Sequence, residues 1–221
     1  MKKKPSSGTR LPVSNPGPHN TVLNWHNVPE QDLWLHARSF HTAAKKLAGS
    51  LQLDTSPSAD SDASPVVFMY RHAVELHLKA LVLGEGSNFL ATKPDALSVH
   101  KTHSVSWLAQ FVCQIITAVK WEKEFKCEGI ENLADFKAVI KELNAVDPGS
   151  YVFRLPVGGG RQDSAPGRVN LTIRDFARRM DALLELLDST ADALAAEWDL
   201  RSEAGAIEAD LNGGGFEPSI H

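Results

Sequence analysis

Residues 65–83 read PVVFMYRHAVELHLKALVL. The stretch is apolar on almost every side, follows a Ser-Pro start signal and stops at Gly84, the pattern of a buried helix. Five polar side chains interrupt it: Arg71, His72, Glu75, His77 and Lys79. An ionised group buried without a partner is costly, so these residues are expected to face each other, a cleft or another chain. Arg71, Glu75 and Lys79 follow at i, i+4 and i+8 along one stripe, with His72 beside it. At about 100° per residue, His77 falls roughly 120° from Arg71, among Val66, Tyr70, Ala73 and Leu81. The other helices are expected to pack around this one.

On the N-terminal side, Pro29 opens a helix with Leu33, Ala37, Phe40, Ala44, Leu47 and Leu51 on one face. The polar run at 55–65, TSPSADSDASP, reads as a surface loop leading into the central helix. After Gly84, GEGSNFLATKPDALSVHK reads as one long loop, a length often associated with function. Thr102 is the expected N-cap of a third helix, with His103 in its first turn. Val105, Leu108, Val112, Ile115 or Ile116, and Val119 form its buried face. A fourth helix follows Gly129, buries Leu133, Phe136, Ile140 and Leu143, and is stopped by Asp147-Pro148.

From Gly149 to Leu171 the pattern is an irregular loop or a short β-hairpin across a Gly-rich tip. That tip lacks the Gly-Lys-Ser/Thr ending of a phosphate loop. Thr172 and Asp175 form a capping box for a last helix predicted to run to about residue 203. Its apolar face carries Ile173, Phe176, Met180, Leu183, Leu184, Leu187, Ala191, Leu194 and Trp198. The chain therefore predicts an all-α five-helix bundle. It divides into a disordered basic tail at 1–20, a single helical domain at 21–203 and a flexible tail at 204–221.

With 221 residues the chain can bury a real core, and 43% hydrophobic with 23% charged residues is ordinary for a soluble globular domain. No apolar run is long enough to span a bilayer, and MKKKPSSGTR lacks the apolar block of a secretory signal. The expected setting is cytoplasmic, with Cys113 and Cys127 reduced and Cys113 a small core residue. A net charge of −4 argues against coating nucleic acid by charge alone, but leaves room for a local phosphate site.

Three fragments together resemble bacterial and phage-associated proteins with a HEPN-like domain. A His-x-x-Glu-x-x-x-Lys helix matches at His72, Glu75 and Lys79, and a Thr-His-x-x-x-x-Leu helix at Thr102, His103 and Leu108. An Asp-x-x-Ser-x-x-Phe-Arg-x-Pro loop matches at Asp147, Ser150, Phe153, Arg154 and Pro156. The resemblance covers roughly residues 65 to 200. It implies a helical bundle that dimerises, and for many members a metal-independent RNA endonuclease serving as a toxin or in phage defence. The family's Arg, polar residue and later His fall on Arg71, His72 and His77. The resemblance then implies that Arg71 holds the scissile phosphate while a histidine moves protons to and from the ribose hydroxyl and the leaving oxygen. No cofactor or metal is implied.

Each of these residues also has a plainer role open to it. Arg71, Glu75 and Lys79 suit an internal ion-pair ladder as well as a substrate site. His77 suits a hydrogen-bonded core histidine as well as a general base, and His72 with His103 suits a polar pair between the second and third helices. Arg154 suits an anion site or a partner for Glu75. His72, His77, His100 and His103 lack the His-x-x-x-His spacing that grips zinc. The favoured expectation is a homodimeric HEPN-like protein that cuts or binds RNA in a toxin–antitoxin or defence system. The first alternative is a non-catalytic module that docks a partner protein. The second is a helical domain that senses a nucleotide through Arg154, Lys79 and Arg71.

Overall fold

The computed structural model describes residues 29–51, 59–147 and 171–213. The expected basic tail, the loop or hairpin with Ser150, Phe153, Arg154 and Pro156, and the last part of the C-terminal tail lie outside them. Among the described residues the chain is all-α, with six α-helices and no strand. They are α1 (Pro29–Leu51), α2 (Ala59–Leu83), α3 (Ala96–Lys101), α4 (Val105–Val119), α5 (Leu133–Val146) and α6 (Ile173–Gly213).

α2 is the centre, packing against α1, α3, α4 and α6 and against a 3₁₀ turn at Glu85–Phe89. α1 meets its neighbours through small residues, since Ala37, Ala44 and Ala48 are all buried. α4 buries Val105, Leu108, Val112, Ile115, Ile116 and Val119, the face expected from the sequence. α5 buries Phe136, Ile140 and Leu143, with Phe125 edge-on to Phe136 at 5.2 Å. α6 supplies Met180, Leu183, Leu184, Leu187 and Leu194 to the same core.

Several boundaries differ from the sequence reading. α2 starts at Ala59, so the second half of the 55–65 run is helical and Pro65 lies inside the helix. Pro65 is on the exposed side, where the carbonyl that loses its amide partner can be met by water. The long loop after Gly84 holds both the 3₁₀ turn and α3. α3 is started by Asp95, whose carboxylate accepts from the Ser98 amide at 2.8 Å. The N-cap of α4 is Ser104, which accepts from the Trp107 amide at 3.2 Å. Thr102 instead ends α3 and accepts from the Ser104 amide at 3.1 Å, which leaves His103 in the linker. Finally, α6 continues past residue 203 to Gly213, so the first part of the expected flexible tail is helix. Among the described residues no helix is long and apolar enough to cross a membrane.

Two glycines should respond to alanine in opposite directions. A Cβ on Gly86 would run into the Leu81 carbonyl oxygen and lie 2.6 Å from Ile115 Cδ1, whereas one on Gly49 would meet nothing within 4 Å. Gly86→Ala is expected to destabilise by about 1–3 kcal/mol through overpacking, and Gly49→Ala to stabilise by roughly 0.5–1 kcal/mol through helix propensity. Urea melts of the two variants check both signs.

Candidate functional site

The charged row of α2 faces the ends of α3 and α5. Glu75 is 1% exposed and Arg71 is 0% exposed. One oxygen of the Glu75 carboxylate accepts from Arg71 Nη1 at 2.9 Å. The other accepts from Lys79 Nζ at 2.9 Å and lies 3.0 Å from His103 Nδ1. The two cations then reach beyond Glu75. Arg71 Nη2 donates to the His103 carbonyl at 2.6 Å, and Arg71 Nε donates to the Asp147 carbonyl at 2.9 Å. Lys79 Nζ donates to the His100 carbonyl at 3.0 Å.

His100 is in the last turn of α3 and Asp147 is the C-cap of α5. Carbonyls at helix C-termini lack intrahelical donors and carry the negative end of the helix dipole, so buried cations suit them. Burial alone would raise the Glu75 carboxyl pKa, but the Lys79 ammonium and the Arg71 guanidinium overcome it and hold it below the ordinary range. The site thus gathers Arg71, Glu75, Lys79, His103 and Asp147. Ser150 and Arg154 lie outside the described residues.

The two histidines of α2 look elsewhere. His72 packs edge-on to Phe40 at 4.5 Å and stacks on Phe68 at 5.6 Å, while His103 Nδ1 lies 3.0 Å from Glu75. His77 is 1% exposed. Its Nδ1 lies 3.1 Å from the Ala73 carbonyl, and its Nε2 lies 3.5 Å from Asp188 Oδ1 on α6. Burial depresses the His77 pKa, against the opposing pull of the Ala73 carbonyl and Asp188. Arg71 and His77 therefore face different neighbours: the α3 and α5 ends for one, α6 for the other.

A second polar junction was missed in the sequence. Asp181 Oδ1 accepts from the Tyr70 hydroxyl at 2.9 Å and lies 2.8 Å from His41 Nε2, while Lys45 Nζ stands 3.7 Å from its other oxygen. Burial, then the bond to Asp181, pushes the Tyr70 hydroxyl pKa up. The available signal was the spacing of Asp181 and Asp188, seven residues apart beside Leu184 and Leu187, which places both carboxylates next to the buried face. Cys113 is buried and free, a core residue as expected, and burial raises its thiol pKa.

No family model, curated protein or solved structure matches this chain.

The Glu75 cluster makes a stability prediction with a defined pH window. Glu75→Ala strands two cations and is expected to cost roughly 3–5 kcal/mol in denaturant melts. Because the folded-state pKa lies below the ordinary value of 4.5, the contribution is complete above that pH. It is lost as pH falls through the lower folded value. Glu75→Gln should remove this part of the acid slope, and an unchanged slope would mean the carboxylate is not held by the two cations.

Proposed function

We propose that this chain is a HEPN-like, homodimeric protein-interaction module in which the charged row of α2 is structural and not catalytic. The observation that carries this reading is the environment of Arg71. An arginine that holds a scissile phosphate must present its guanidinium to substrate. Here the side chain is 0% exposed, and each of its three nitrogens donates to a group of its own chain. Withdrawing it toward a ligand would leave Glu75 short of a partner in a buried site. His77, the other half of the nuclease signature, turns toward α6 instead.

The surface suited to a partner is the far end of α6. Leu200 is 63% and Ile207 62% exposed, and with Ala204 they follow at i, i+4 and i+7. That spacing forms a helix–helix seam, which the same helix of a second copy would cover. Between Glu197 and Glu208 the helix carries four acids and one arginine, so charge repulsion opposes pairing and salt relieves it.

Two measurements test the reading. Purified protein incubated with mixed RNA in excess chelator should show no cleavage above background. Chelator-resistant cleavage that disappears in folded Arg71→Ala and His77→Ala variants would restore the RNA endonuclease. Sedimentation should show a dimer that tightens with added salt and dissociates in a Leu200→Glu, Ile207→Glu double variant. A monomer at every concentration and salt would remove the dimer from the proposal.

A further inference from the structure

A cleft of about 380 Å³ lies between α1 and α6, with His77 of α2 among its lining residues. Its lining holds two opposite kinds of chemistry. Arg38, Lys45 and Lys46 bring cations from α1. Their ion pairs are long: Arg38 to Asp188 at 3.5 Å, Lys45 to Glu185 at 3.4 Å and to Asp181 at 3.7 Å. Charge-assisted hydrogen bonds normally close to about 2.7–2.9 Å, so these pairs are loose, although Lys45 still donates to Glu185 and Arg38 also lies over the Trp34 ring at 4.4 Å.

At the deep end the problem is reversed. His77 Nδ1 lies 3.1 Å from the Ala73 carbonyl; in the neutral tautomer that donates to it, Nε2 carries a lone pair. That lone pair faces Asp188 Oδ1 at 3.5 Å, and both atoms are buried without a hydrogen-bond partner. The other tautomer only moves the clash to Ala73. Two acceptors are therefore buried side by side with no donor between them, an arrangement that is costly to leave unfilled. Burial disfavours filling the gap with a proton on the ring at neutral pH. An ammonium would supply donors too, but Arg38, Lys45 and Lys46 outnumber Glu185 and Asp188 in the lining and disfavour its entry. Neutral hydroxyls meet no such barrier, and two adjacent hydroxyls match two adjacent acceptors.

We infer that this cleft binds a small phosphorylated sugar, with neighbouring hydroxyls donating to His77 Nε2 and Asp188 Oδ1 and the phosphate held by Arg38, Lys45 and Lys46. Arg38 is half-exposed and is the side chain that swings for entry, exchanging a loose pair with Asp188 for the phosphate. The cleft volume lies in the range of small-ligand sites. The inference is independent of the dimer and of the structural role given to Arg71.

Calorimetric titration of the full chain at low salt provides the test, with ribose carrying a terminal phosphate as the probe. Deoxyribose phosphate, inorganic phosphate and ribose are the comparisons. Ribose phosphate should bind at least about tenfold more tightly than any of the three, and a Lys45→Ala, Lys46→Ala double variant should weaken it by about tenfold or more. Asp188→Asn gives a second readout, because its amide can donate to His77 Nε2 and fill the gap from within. That variant should melt at a higher temperature than the parent without ligand, and lose the preference for ribose phosphate over inorganic phosphate. Equal affinity for those two probes, no saturable binding up to about 10 mM, or an Asp188→Asn variant with unchanged melting and binding would overturn the site.

Discussion

A single carboxylate, Glu75, sets the arrangement of half the bundle. It is buried and holds Arg71 on one oxygen and Lys79 on the other. Held there, the two cations reach backbone carbonyls on segments that otherwise have little to fix them. α3 is six residues long, far below the length at which a helix is stable alone. Its position depends on buried Val99 and on the Lys79 bond to the His100 carbonyl. The end of α5 is tied in the same way by Arg71 at Asp147. A buried ion pair contributes little net stability compared with apolar packing. Its effect here is on geometry: through Arg71 and Lys79 it ties α3, the His103 linker and the α5 end to α2.

The opposite side of α2 handles its polar groups differently. Tyr70, His41 and Lys45 converge on Asp181 and fasten α1 and α2 to α6. One α6 turn pair further along, His77 and Asp188 meet without a donor. Side by side, a closed junction and an open one share the same three helices. A buried pair left without a donor is where a ligand can add interaction free energy in exchange for only the loose Arg38–Asp188 pair.

How far the sequence could be read depended on whether a feature was local or long-range. The apolar faces of α1, α4, α5 and α6 follow 3.6-residue periodicity, and the pattern selects most of the buried residues, but Trp198, expected on the α6 face, is 40% exposed, while Ala48 and Val139 are buried outside the expected faces. Boundaries were harder, because several residues offered the same local chemistry. Thr102 and Ser104 are both sound N-caps; α4 takes Ser104, and the His103 carbonyl between them is bound by Arg71, a contact between residues far apart in sequence. Pro65 looked like a first-turn proline because the exposure that makes an internal proline tolerable is a property of the packed helix. In the candidate site, the i, i+4, i+8 spacing of Arg71, Glu75 and Lys79 was enough to place them on one stripe with mutual bonds. The carbonyls they bind carry no side-chain signature, so they were not legible.

The same helical geometry explains why the Arg-His spacing is a weak guide to catalysis in this chain. Six residues along an α-helix turn the second side chain to roughly 120° from the first, so both can touch one substrate only if it occupies the wedge between them. On α2 that wedge is lined by Tyr70, Val74, Leu78 and Leu81, whose exposures are 0%, 0%, 0% and 2%. These four are part of the core that holds α2 in place. Opening the wedge to a phosphodiester would remove apolar burial worth roughly 1.5–3 kcal/mol per large side chain, before any cost of freeing Arg71 from its carbonyls. Within one chain, the residues that make α2 the centre of the fold are the ones that keep Arg71 and His77 apart.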